Sequence, residues 1–584
     1  MHSAMYLSAE DHVWNNSGTG AWSNSANWTG GGLITLPRAL VDTARIDQGT
    51  ATITAGTVAE YGELRLGFTP GLTGTVTMTG GTMTGIDFTV GRLGGEGVFN
   101  MSAGTASNTI LRVGDGAPSS KGAVNYSGTA VHNVGELHIS GATATGVVNL
   151  AGSATLRVQD LAIIDTSSGN GTFRQTGGSF VLQAAAGSSP LGDHGLYIGR
   201  SLDHGGISGG VAQYEMTGGT MNAYYDVYLG YSPPPGPELA RTSAIWNISG
   251  GASANIRGAT AASPGGYFAG NLNLGYYGTT PAVLSTPTDH YSRTEVNVFD
   301  GSLYVQGSVI GWGKDNHFNI YGSKASVDIG AFNAGFGGLP GSDTFEIAFT
   351  LDKGGISKLN VRGAANFNMV NNKMVVKIPA FLALQVPEFD LIQAGSIAPN
   401  ILDRINNQTP YRVETTLLMG TTVKLGLEVQ PYQMWDMDNL LFMGVNTIGD
   451  GQKGALYATG SESYPLIVEF EKWNGMTLST EPVGSLIGAL KNYLNEAMVD
   501  TGVTFQLHSS NSLLMTGDYL NLNGEVWFGW DLSDFFGDEC CCDEIRLKSF
   551  RRDERDVDVP EPSTWMLLML GGAAMFYMRK KVLA

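Results

Sequence analysis

Short runs of alternating apolar and polar residues recur through most of the chain. In Thr75-Val76-Thr77-Met78-Thr79 the threonines take one face and Val76 and Met78 the other, the period-two pattern of a strand with one buried side. Gly80-Gly81 follows, a pair that allows a turn a Cβ-bearing residue adopts only at a cost. A second short strand is predicted at Phe88-Thr89-Val90, closed by Gly91. The stretch Met78-Thr79-Gly80-Gly81-Thr82-Met83 returns as Met216-Thr217-Gly218-Gly219-Thr220-Met221, with looser copies at Met101–Thr105, Gln175–Ser179 and Ile248–Ala252.

Aligned on these corners, the units run through Val98–Met101, Val124–Tyr126, Val148–Leu150, Phe173–Gln175, Tyr214–Met216, Trp246–Ile248 and Val296–Val298 to Phe318–Ile320. Their spacing of about two dozen residues suits one coil of a parallel β-helix or similar solenoid. Each strand is too short to stand alone, but stacked coils bury one continuous apolar column. Residues 67–340 then give roughly ten coils, a rod on the order of 50 Å long. Longer intervals near 180–210, 231–243 and 276–293 read as loops thrown out of single coils. Ser232–Pro237 must be such a loop, because proline cannot donate into a ladder. A β-propeller is the alternative, but its blades need four strands in about forty residues.

From Phe345 the double glycine disappears while strand patterns continue at 345–351, 358–361, 374–378, 389–392 and 423–427. Solenoids need a non-repeating cap, so residues 341–430 are assigned to it. Residues 431–535 read as a small α+β unit, with strands near 456–459, 466–470 and 526–530. Leu486, Ile487, Leu490, Tyr493 and Leu494 recur at helical spacing and predict an amphipathic helix over 484–499. Residues 536–558 carry dense charge of both signs and read as a flexible linker.

Composition narrows the function. The chain holds 82 glycines and 15% charged residues, with a formal net charge of −19. Nucleic acid is excluded as a partner, since phosphate binding needs clustered Lys and Arg. The three cysteines are adjacent, Cys540-Cys541-Cys542, so they cannot frame the fold with disulfides. They read as incidental thiols, with metal capture or cross-linking as the sharper alternative.

Candidate chemistry on the rod is sparse. Asp87, Glu96, Asp115, Glu136, Asp160 and Asp165 are thinly spread, with no two at equivalent positions of adjacent coils and no calcium loop. The best constellation is Asp193-His194 with Asp203-His204 in one long insertion. It could bind a metal or act as acid and base; the bland reading is a polar loop with Asx turns. Tyr224, Tyr225, Tyr228 and Tyr231, with Tyr276, Tyr277 and Trp312, could stack on sugars or pack a core. Alternation sets Tyr225 opposite Tyr224 and Tyr228. No cofactor is expected.

At the N-terminus, Tyr6-Leu7-Ser8-Ala9 before Glu10-Asp11 looks like the end of a signal peptide, so residues 1–9 are a signal-peptide remnant and the true start is expected upstream. Residues 10–66 form the N-terminal cap. There Trp14, Trp22 and Trp28 are spaced through Asn, Ser and Gly, ahead of Asp42-Thr43-Ala44. The pattern resembles the opening of autotransporter-like passenger repeats, which implies a β-solenoid start. The rings would form a lid on the core, or else a sugar platform.

The tail carries the sharpest signal. Pro560-Glu561-Pro562 precedes an apolar run from Trp565 to Met578 and then Arg579-Lys580-Lys581. The run spans roughly 21 Å as a helix, against about 30 Å for a bilayer core. Its basic end favours the cytoplasmic side, and Trp565 and Tyr577 suit the two interfaces. This order closely resembles the PEP-CTERM sorting signal of bacterial exported proteins. The resemblance implies that Pro560, Glu561 and Pro562 are recognised by an exosortase, a membrane-embedded processing enzyme. It also implies a C-terminal transmembrane helix over 559–584 and delivery to the cell surface or extracellular polysaccharide matrix of a Gram-negative-type bacterium.

The whole therefore reads as a mainly β chain: a parallel β-helix with caps, a small α+β unit and a C-terminal transmembrane helix. The expected function is that of a non-catalytic surface or matrix protein with a structural or adhesive role. The alternatives are a secreted β-helix lyase or hydrolase and a glycan-binding module.

Overall fold

A computed structural model describes residues 10–552 apart from internal stretches. Those left out include 31–35, 184–193, 201–209, 232–241, 259–268, 277–291, 335–343, 474–484 and 532–543, with shorter ones elsewhere. Residues 1–9 and 553–584 also lie outside the described set. The described chain is mainly strand and divides into two compact units.

The first unit follows from the alternation. Val76 and Met78 are buried, while Thr75 and Thr77 on the other face are half-buried and Thr79 is exposed. The apolar side of each short strand can be buried only against other turns of the chain, and the pairing shows how. Lys121–Tyr126 pairs in parallel with Glu96–Asp115 on one side and Thr145–Leu150 on the other, so that Val124 lies between Phe99 and Val148. Such parallel pairing excludes a propeller, which is built from antiparallel blades.

Each turn contributes three strand segments rather than the two expected. The first stack runs from Gly49–Ile53 to Ile405–Asn407 through twelve successive parallel pairings, which spans roughly 60 Å. The third stack carries Phe88, Leu111, Leu137 and Leu196 in register. Between them a second stack holds Met83, Ala106, His132, Leu156 and Phe180. Small and polar inward residues such as Ala59, Ala106, Asn108 and Ala223 hid it from a reading based on large apolar residues.

The parallel pairing also crosses both expected boundaries of the repeat. Thr43–Ile46 already pairs in parallel with Glu63–Leu66 inside the segment read as N-terminal cap. At the other end, Thr344–Thr350 and Lys373–Lys377 extend the first stack. The pattern becomes antiparallel only where Thr422–Glu428 pairs with Glu388–Ile397 and Arg412–Leu418. The N-terminal end is closed by Trp28–Gly30, antiparallel to Asp11–Trp14.

Turns between the first and second stacks stay tight. Gly81 has φ +78° and Gly219 φ +77°, left-handed backbone that favours glycine. The other two corners accept extra residues. The register lengthens from 24 residues between Asn125 and Asn149 to 41 between Arg174 and Glu215 and 50 between Asn247 and Asn297. The surplus falls at 183–194, 201–210, 232–241, 257–271 and 277–291, always at a corner flanking the third stack.

The second unit comprises a five-stranded sheet and a four-stranded sheet. Strands Lys453–Gly460, Leu466–Trp473 and Gly524–Asp531 fall where the sequence predicts them, and the helix spans Ser485–Ala497 with Ile487, Leu490 and Leu494 buried. The expected linker is corrected at one point: Glu544–Arg552 is a strand antiparallel to Leu466–Trp473. A second departure is Phe381–Leu384. It lies in sequence between strands of the first unit but forms the edge of the five-stranded sheet, antiparallel to Gly524–Asp531.

Candidate functional site

The outward side of the third stack changes character along its length. At its start the outward residues are ionic. Arg65 donates to both oxygens of Glu63, each at 2.5 Å, and Arg112 donates to Asp87. Glu63 and Asp87 stand opposite each other in register, so adjacent turns do carry stacked carboxylates, each held by its own arginine. Asp47 accepts from the backbone N–H of Phe68 at 2.7 Å and of Thr69 at 3.1 Å. Burial raises its pKa, but hydrogen bonds from Thr69, Phe68 and Arg45 outweigh this and hold the carboxyl below its ordinary value.

From Ile163 onward the same outward positions become apolar and aromatic. Ile163, Tyr197 and Tyr228 are in register. Tyr197 and Tyr228 stack at 4.7 Å and 8°, and Tyr231 meets Tyr197 edge-on at 5.0 Å. Tyr276 lies 5.2 Å from Tyr228 and 5.1 Å from Trp312. The Arg200 guanidinium sits over Tyr197 and Tyr231, 4.8 and 5.2 Å from their centroids. The indole N–H of Trp312 donates to Asn273 Oδ1 at 3.1 Å.

This cluster brings together Tyr228, Tyr231, Tyr276 and Trp312 from the predicted set. Tyr197 and Tyr231 are buried, whereas Tyr228, Tyr276 and Trp312 are half-buried. Tyr225 is buried and donates to the carbonyl of Gln159 at 3.2 Å. Tyr224 is half-buried, and Tyr277 lies outside the described residues. Sequence reasoning missed Tyr197 and Arg200 as members. The signal was there, since Leu196-Tyr197-Ile198-Gly199 and Val227-Tyr228-Leu229-Gly230 align residue for residue.

Of the Asp-His pairs, only His194 is described. Asp193, Asp203 and His204 lie outside the described residues. His194 stacks on Tyr225 at 5.7 Å, with its Nδ1 4.0 Å from Asp160. Nearby, Asp226 accepts from the backbone N–H of Asn271 at 2.8 Å. Burial raises its pKa, opposed by the hydrogen bonds from Asn271. Its part is to clamp the next turn: Asn271 in turn accepts from Ser308 N–H at 2.8 Å. Among the described residues no group of three or more His, Cys, Asp or Glu is placed to hold a metal ion.

A second ionic group lies on the outward side of the first stack. His317 Nε2 is 2.7 Å from Asp315, its Nδ1 is 3.9 Å from Glu346, and Lys377 reaches Glu346 at 3.3 Å. Hydrogen bonding to Asp315 and Glu346 raises the His317 pKa to about 9, so the imidazolium is the resting form at neutral pH. All of these partners are engaged with one another.

The N-terminal tryptophans serve as a lid. Trp14, Trp22 and Trp28 are buried, with Trp28 4.8 Å from Trp22 and 5.1 Å from Trp14, both edge-on. The Trp28 indole donates to the Trp22 carbonyl at 2.9 Å. Rings closed on one another offer no platform to a sugar.

The decisive comparison concerns the tail. Residues 558–581 match the PEP-CTERM protein-sorting motif. That motif indicates exosortase-dependent sorting of an exported protein. Pro560, Glu561, Pro562, Trp565, Tyr577, Arg579, Lys580 and Lys581 lie outside the described residues, as do Cys540, Cys541 and Cys542. Among the described residues no helix is long and apolar enough to cross a membrane. No curated protein matches the chain, and no solved structure does.

Proposed function

We propose that this exported PEP-CTERM protein is a non-catalytic β-solenoid rod with a structural or adhesive role at the cell surface or in the extracellular matrix. In this reading residues 559–584 hold it at the membrane until an exosortase acts at Pro560-Glu561-Pro562. The observation that carries the reading is the sorting motif at residues 558–581 behind a long stack of parallel turns. The disposition of charge supports a passive rod. Glu63, Asp87, Asp315 and Glu346 are each held by a basic neighbour, and Asp226 is spent on the backbone of the next turn.

Fractionation of cells carrying an exosortase tests it. Full-length chain is expected in the membrane and processed to a shorter surface or matrix form, and a chain lacking 559–584 is expected in neither. Unaltered membrane association of the truncated chain would overturn the anchor. Unaltered processing after Glu561→Ala would overturn recognition at the tripeptide.

A further inference from the structure

We infer that the outer side of the third stack between Leu161 and Trp312 is a binding face for an uncharged carbohydrate chain. The inference deepens the adhesive reading and rests on it, because it names what the rod would hold.

Three observations converge there. The outward residues pass from ion pairs at Arg65 and Arg112 to the aromatic group Tyr197, Tyr228, Tyr231, Tyr276 and Trp312. The change coincides with the turns whose register lengthens at the two corners flanking this stack. Within the group, Tyr228, Tyr276 and Trp312 come from three successive turns, remain half-buried, and lie 5.2 and 5.1 Å from their neighbours. Successive half-open rings, one per turn, give a polymer of similar units a contact at each step.

The chemistry of the face selects the ligand. Aromatic rings present apolar faces, which match the C–H faces of pyranose rings. The Arg200 guanidinium, over Tyr197 and Tyr231, places a planar polar group beside the rings, of the kind that ring hydroxyls meet. The chain as a whole carries a formal net charge of −19, which disfavours an anionic polymer. Export places the protein among extracellular polysaccharides rather than nucleotides or metabolites.

Purified full-length chain is to be run by affinity electrophoresis through gels containing a soluble β-glucan, soluble starch or a galactomannan, with alginate as the anionic comparison. Retardation by at least one neutral polymer is expected, weakened about tenfold by Tyr276→Ala or Trp312→Ala. Tyr304→Ala, on the outward side of the second stack under Arg362, is expected to behave as the parent. Retardation by no neutral polymer, by alginate alone, or equally in all variants overturns the proposal. Should alanine loosen the cluster, Trp312→Phe keeps the packing and removes the indole. A ligand-induced fluorescence change that vanishes in W312F supports the face, and one that persists overturns it. Because the assay uses isolated protein, its failure leaves sorting intact, and failed fractionation leaves the face intact.

Discussion

Gly219 shows why the repeated corner is written as it is. Its φ of +77° is left-handed, and a Cβ there would lie 2.5 Å from the Gly177 carbonyl carbon of the turn below. Gly219→Ala is expected to lose roughly 1–3 kcal/mol, read as a lowered midpoint in thermal or urea unfolding. Gly488, inside the helix Ser485–Ala497, has nothing within 4 Å of its Cβ position, so Gly488→Ala is expected to stabilise by roughly 0.5–1 kcal/mol. The alternation around Val76 and Met78 could be read directly, because side-chain direction in a strand follows from sequence spacing alone.

His132 could not be read in that way. It is wholly buried in the second stack, in register with Ala106 and Leu156. Tyr126 Oη lies 2.6 Å from its Nδ1, and its Nε2 meets Asn108 Oδ1. Burial lowers its pKa to about 3 from 6.5. Above pH 6.5 both folded and unfolded forms are neutral and the ring has no effect on the balance. Between 6.5 and 3 only the unfolded chain takes up the proton, so stability falls with pH by roughly 1.4 kcal/mol per unit from this group. His132→Leu is expected to flatten that part of the urea-midpoint profile against pH. An unchanged slope would show that the acid sensitivity lies elsewhere.

At the scale of the element, side-chain ladders complement the backbone pairing. Asn125 donates to Asn100 at 2.8 Å and accepts from Asn149 at 2.7 Å. Farther along, Asn297 donates to Asn247 at 2.8 Å and accepts from Asn319 at 2.7 Å. Each asparagine fixes the next turn against sliding. Asn125→Ala removes two such bonds and leaves Asn100 and Asn149 half-satisfied, an expected loss of roughly 1–3 kcal/mol, measured as faster amide exchange in residues 96–150. The Val-Asn-Leu and Phe-Asn-Ile triplets made the first stack legible. The second was obscured by its alanines, Asn108 and His132, whose size and polarity break the apolar rhythm. The helix near Asn495 plays a related part, since Asn495 exchanges hydrogen bonds with the backbone of Phe505 at 2.8 and 3.0 Å. Its amide stands in for a neighbouring strand at the edge of the four-stranded sheet.

At the scale of the molecule, repetition fixed the first unit and its parallel order, because only stacking can bury strands this short. The limits of the stack were not legible, since the turns at 43–66 and 344–407 pair in parallel without the glycine signature. The aromatic face was half legible. Its tyrosines were visible, but which of them meet depends on how far each insertion displaces the register. The strand Glu544–Arg552 was hidden by its charge, and pairing of an edge strand does not require apolar residues on both faces.

The excursion of Phe381–Leu384 has a consequence for proteolysis. The chain enters the second unit at 378–385 and again briefly at 409–411, returns to the first each time, and belongs to the second from 429 onward. A single cut between Glu428 and Met434 therefore severs the covalent link without releasing the first unit. Phe381–Leu384, still covalently joined to the first unit, remains hydrogen-bonded to Gly524–Asp531. The sorting tail and the stack then behave as a two-piece assembly that denaturing gels resolve and native gels do not.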